Sequence, residues 1–139
     1  MAENIYEKDF NLWVQEQANA LKARQFTRLD YENLIEEIED MSKSEKRSLE
    51  SYLERLIEHI LKLKYWKSEY EYNQKHWQVE VKNFRNRLKR LLKRSPSLKN
   101  HLIEIYPEIY QDAVDTWRIE FEIPDHDPIS LTEILPTDY

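Results

Sequence analysis

Leu49-Glu50-Ser51-Tyr52-Leu53-Glu54-Arg55-Leu56-Ile57-Glu58-His59-Ile60-Leu61 carries its apolar residues at steps of three and four. That is the period of an α-helix with one wide apolar face. The spacing predicts a helix from about Lys43 to Tyr65, with Ser42 and Glu45 placed as a capping box at its start. A helix with so broad an apolar face must bury it against others of its kind, so an all-α helical bundle is expected.

Upstream, Tyr31, Leu34, Ile35, Ile38 and Met41 form a second stripe, predicted to be buried. Asp30 is placed to accept first-turn amide hydrogens, and Leu29 and Leu34 occupy the positions of a hydrophobic staple. Ile38 and Leu49 lie eleven residues apart, close to three whole turns, so the two stripes share a phase. One long helix satisfies that phase, but the capping serines favour a break near Met41–Ser44. A first helix is predicted from about Asp9 to Arg24, with Asp9 as its N-cap, on Phe10, Trp13, Val14, Gln17 and Leu21. A fourth is expected from about Gln74 to Lys93, on Trp77, Val81, Phe84, Leu88 and Leu91. The segment between Tyr65 and Trp77 then contains a turn.

Ser95-Pro96 reads as a restart, because serine caps a helix and proline suits a first helical turn. The following stripe runs Leu98, Leu102, Ile105, Ile109, Ala113, Trp117 and Phe121. Pro107 lies inside it and is expected to kink or split the helix. Pro124, Pro128 and Pro136 mark an irregular tail from about residue 122, with one short helix over Ser130 to Leu135, started by Ser130 and Glu133. The expectation is a single helical domain, 1–139, with four to five main helices and a short irregular C-terminal tail.

Composition agrees. The chain has 139 residues, 40% hydrophobic and 35% charged. A domain of this size buries about 68% of its unfolded surface, enough for a proper core. Four Trp, nine Tyr and four Phe argue against disorder. There is no cysteine, which excludes disulfides, cysteine-ligated zinc and a cysteine nucleophile. There is no glycine either, which excludes Gly-rich phosphate loops. The opening residues contain no apolar run of the signal-peptide kind, and no segment approaches a bilayer span. A cytoplasmic protein with no membrane association is expected.

Two charged stretches stand out. Asp30 to Met41 holds six acids and no base, and Glu36, Glu37 and Asp40 share a helical face. Such E-E-x-x-D patterns hold magnesium in some helical nucleotide hydrolases, since hard cations want clustered carboxylates. A second acidic pair is needed there, and Glu54 and Glu58 are the available residues, at a different spacing. The plainer account is a solvated face near a helix N-terminus, where acids are favoured.

Val81 to Ile103 holds eight bases and no acid, among them Arg85, Arg87, Lys89, Arg90, Lys93 and Arg94. A basic helix can neutralise phosphates or meet an acidic protein. It can also be no more than a solvated or self-paired face. Its one aromatic, Phe84, lies on the apolar seam, which weakens base stacking as a role. Trp66, Tyr70 and Tyr72 fit no regular stripe and are candidate interface anchors. His59 is placed as a residue bordering an apolar face; His126, in Asp-His-Asp-Pro, as a polar turn.

Several segments together resemble one family. They are Tyr6 to Trp13 with Gln15 and Gln17, the block Leu29 to Glu45, Ser48 to Ser51, His59 and Leu61. Trp66, Trp77, Ser95 to Leu98, Tyr110, Asp112, Ala113 and Leu131 to Leu135 complete the pattern. The chain is similar over nearly its whole length to the bacterial domain of unknown function number 29. That resemblance implies a compact intracellular helical bundle with no established activity, and it offers no catalytic residues to carry over.

The function expected from the sequence is a non-enzymatic protein-interaction module. Its surface would be Arg85, Arg87, Lys89, Arg90, Lys93, Arg94, Trp66, Tyr70 and Tyr72, with no cofactor. The alternatives are a metal-dependent hydrolase using Glu36, Glu37, Asp40, Glu54 and Glu58, and nucleic-acid binding through the basic helix. A homo-oligomer is compatible with either charged surface.

Overall fold

The computed structural model describes residues 4–136. They form an all-α structure, and no strand occurs among them. In order, α1 is Ile5–Lys8, α2 Phe10–Lys22, α3 Tyr31–Tyr65, α4 Lys67–Arg94, α5 Leu98–Trp117 and α6 Leu131–Ile134. A 3-10 turn covers Phe26–Arg28. The chain forms two compact units, Met1–Lys43 and Ser44–Tyr139.

The first unit has a small interior. Trp13, Gln17 and Ala20 are its buried residues. Asp9 caps α2 by accepting from the Leu12 amide, as the sequence predicts. Asp30 is the hub of this unit. Its carboxylate accepts from Trp13 Nε1 at 3.0 Å and from the Asn33 side chain at 2.7 Å. It also takes the Asn33 amide at the start of α3, and its own amide donates to Gln17. The Asn33 and Trp13 bonds hold the Asp30 carboxyl below its ordinary range.

Two expectations are corrected here. No break occurs near Met41–Ser44, because α3 is one helix from Tyr31 to Tyr65. The shared phase of the two stripes wins, and Ser42 and Ser44 sit within the helix. The stripe Tyr31, Ile35, Ile38 and Met41 is exposed rather than buried, with Leu34 half-buried. Periodicity establishes that a face is apolar; it does not say what covers it.

The second unit is the helical bundle. Leu49, Leu53, Leu56, Ile57 and Leu61 of α3 pack with Val81, Leu88 and Leu92 of α4. Leu98, Leu102, Tyr106, Tyr110, Ala113 and Val114 of α5 close the core. α4 starts seven residues earlier than expected, so Tyr70 and Tyr72 lie on a helix and the turn falls at Trp66. α5 starts at Leu98, two residues after Pro96, and contains Pro107 without being split. It stops at Trp117, which leaves Phe121 outside the helix but buried.

The tail is structural. Phe121, Ile123, Ile129, Ile134 and Leu135 are all buried. Tyr106 donates its hydroxyl to the Ile129 carbonyl. His126 Nδ1 donates to the Pro124 carbonyl at 2.8 Å, which leaves Nε2 to accept from Tyr110 at 2.5 Å. Ser130 caps α6 by accepting from the Glu133 amide.

Candidate functional site

The six cationic residues singled out on the basic helix fall to different tasks. Arg85 is turned to the C-terminal tail. Its Nε donates to the Ile134 carbonyl at 2.9 Å and its terminal nitrogen to the Glu133 carbonyl at 3.2 Å. Burial lowers its pKa from the ordinary arginine value. Lys89 is half-buried. It borders an open cavity of about 600 Å³ with Lys64, Lys82 and Arg85 over an apolar floor of Ile60, Leu63 and Val81. Lys93 is exposed.

Arg87, Arg90 and Arg94 come together. Spaced three and four residues apart, they share one face of α4. With Ser44, Glu45, Ser48, Tyr52 and Leu91 they line an open cavity of about 450 Å³ between α3 and α4. Arg87 lies over two rings, 5.7 Å from the centre of Tyr52 and 5.4 Å from that of Phe84. Such stacking fixes a guanidinium without neutralising it. Among the described residues, the side chains of Arg90 and Arg94 have no hydrogen-bond or ion-pair partner. Glu45 is engaged elsewhere, accepting from the Ser95 hydroxyl at 2.6 Å.

Ser44, Ser48 and Tyr52 line this cavity but belong to none of the sets expected from the sequence, because serines in a helical stretch read as caps or surface positions and Tyr52 as part of the apolar face. Their spacing of four residues is the signal that places them on one face. Ser95 was expected to cap α5; its hydroxyl instead reaches back to α3.

The aromatic anchors divide as well. Trp66 is half-buried and stacked, 5.8 Å from Trp77 and 4.8 Å from Phe121 between ring centres. It is therefore part of the packing. Tyr70 and Tyr72 are exposed.

The acids are not gathered into one set. Glu37 accepts from the Tyr6 hydroxyl. That bond, aided by desolvation and then by the charges of Glu37, Glu36 and Asp40, pushes Tyr6 up to about 12. Glu36 is exposed. In the second unit Glu54 is exposed, whereas Glu58 is buried and paired with Lys62 at 3.0 Å. Lys62 in turn lies 4.2 Å from the Trp117 ring centre. Among the described residues, no group of three or more His, Asp or Glu side chains is arranged to hold a metal ion. His59, expected at a face boundary, is buried against the Phe84 ring and donates to the Arg55 carbonyl. No helix among the described residues is long and apolar enough to cross a membrane.

A family model described as Domain of unknown function DUF29 matches residues 5–139. No curated protein and no solved structure matches the chain.

Proposed function

The chain belongs to the DUF29 family, and from that premise we propose that it is a non-enzymatic interaction module receiving an acidic segment of a partner protein. The receiving face is Arg87, Arg90, Lys93 and Arg94 of α4. Tyr70 and Tyr72, exposed on the same helix, extend the contact. The bacterial cytoplasm is the setting of this function.

One observation carries the proposal: three arginines converge on a single open cavity, two of them without a partner among the described residues. Unpaired guanidiniums cost little in water and gain most when a matched anion displaces that water. A protein partner is favoured over nucleic acid because Phe84 is the one aromatic interleaved with the bases of residues 81–103, Tyr70 and Tyr72 lying 15 or more residues before Arg87 on the same helix. Phe84, half-buried beneath Arg87, offers no free ring for a base.

The test is purification from the native cell with Arg87, Arg90 and Arg94 all changed to Glu. A stoichiometric acidic partner should be lost, and Lys67→Glu should retain it. Circular dichroism should show both variants folded. Capture that survives the triple reversal would place the interface elsewhere.

A further inference from the structure

We infer that the arginine cavity between α3 and α4 binds a phosphomonoester group. This rests on the interaction reading above and names the chemistry that the same site selects.

The charge balance points to a dianion. Three arginines line the cavity with one acid, Glu45, so the lining carries two positive charges in excess. A side-chain carboxylate brings one negative charge and two acceptor oxygens. A phosphomonoester brings about −1.5 to −2 near neutral pH and three strong acceptors. Arg90 and Arg94 offer planar forks that match such an oxygen triad, and clusters of this kind recognise phosphorylated groups.

The cavity also holds neutral donors. Ser44 and Ser48 sit one turn apart on the α3 wall, and both residues line the cavity. A carboxylate flanked by arginines would not need them; a third phosphate oxygen would. Two features keep the cations available. Arg87 is stacked on Tyr52 and Phe84, so less side-chain freedom is lost on binding. Glu45 is held by Ser95 at 2.6 Å and makes no ion pair with the three arginines.

The full chain should be titrated by calorimetry with phenyl phosphate and with a short peptide bearing one phosphoserine. Serine and glutamate versions of that peptide complete the set. The phosphopeptide should bind with one-to-one stoichiometry, and the glutamate peptide at least tenfold more weakly. Affinity should fall between pH 7.5 and 5.5, as the monoester takes up its second proton near pH 6. Arg90→Gln with Arg94→Gln should cost at least tenfold, with Lys75→Gln neutral and both variants folded by circular dichroism.

Phenyl phosphate binding as tightly as the peptide would identify a small phosphorylated molecule as the source. Tighter peptide binding would identify a phosphorylated protein. Glutamate and phosphoserine peptides of equal affinity would overturn the inference and leave the acidic-partner reading standing. Phosphate binding untouched by the Arg90 and Arg94 changes would also overturn it. Loss of both phosphate binding and arginine-dependent capture would remove the two together.

Discussion

Arg85 of α4 donates from Nε to the carbonyl oxygen of Ile134, 2.9 Å away, at the end of α6. The last carbonyls of a helix have no partner inside it, and a cation there also complements the helix dipole. One side chain thus holds down a tail whose Ile134 and Leu135 are fully buried.

Replacing Arg85 with Ala should therefore act through the tail. Two charge-assisted bonds to carbonyls are lost at a partly buried site, and the expected cost is about 2 kcal/mol. Chemical denaturation measures it. Hydrogen exchange should show Ile134 and Leu135 opening before the bundle core. Arg85→Lys should recover only part, because an ammonium cannot span both carbonyls with a fixed fork. A variant as stable and as protected as the parent would show that the apolar contacts hold the tail unaided.

Glu58 and Lys62 form a second such device. Both side chains are largely buried, at 11% and 13% exposure, and their atoms lie 3.0 Å apart. Lys62 also sits over the Trp117 ring, so the pair links α3 to α5. Lys62→Ala removes the cation and leaves Glu58, among the described residues, with His59, 3.8 Å away. The expected loss is about 3 kcal/mol. Lys62→Met with Glu58→Leu should cost far less, because no uncompensated charge stays buried. Thermal melts of the single and double variants decide it. Equal losses in both would mean that packing, not charge, is what Lys62 contributes.

These devices mark where the sequence stops being informative. The α4 and α5 stripes were legible because Trp77, Val81 and Leu88, or Leu98, Leu102 and Ala113, recur at helical period and all face the core. Asp9, Asp30 and Ser130 were legible as caps because their partners lie three residues on. The tail was not. Arg85 and Ile134 are 49 residues apart, and no local pattern joins them. Prolines announce an irregular path but say nothing of Ile123 or Ile129 being buried. Sequence grouped the bases of α4 correctly as one charged stretch. It could not separate Arg85, turned to the tail, from Arg90 and Arg94, turned to a cavity whose other wall is α3.

Tyr106 predicts an alkaline limb. Burial, and then the Tyr110 and Glu133 charges, raise its hydroxyl above the ordinary value near 10. The unfolded chain therefore gives up this proton first. The stabilisation is complete below about pH 10 and declines as pH rises toward the folded-state value. Denaturation at pH 8, 10 and 11 should show that decline. Tyr106→Phe should lose about 1 kcal/mol at pH 8 through the missing bond to Ile129, and fall less steeply above pH 10. Parallel curves for the two proteins would mean that this hydroxyl does not sense the fold.

Arg24 gives the last prediction. Its φ is 56°, in the left-handed region, one residue past the Ala23 C-cap of α2. The Gln25 amide closes the motif on the Ala20 carbonyl at 2.8 Å, as in a helix end of the Schellman kind. Glycine ordinarily fills that position, and this chain contains none. A left-handed non-glycine residue costs roughly 1–2 kcal/mol, and glycine's greater freedom in the unfolded chain returns about half of it. Arg24→Gly should therefore stabilise the first unit by about 0.5–1 kcal/mol. Arg24→Asn should fall between the two, since asparagine tolerates this conformation better than arginine. Hydrogen exchange at the Trp13 and Gln17 amides is the direct measurement, because it reports local opening of this unit. Slower exchange in the glycine variant is the expected result. Faster exchange would mean that the Arg24 side chain stabilises the turn by more than its backbone conformation costs.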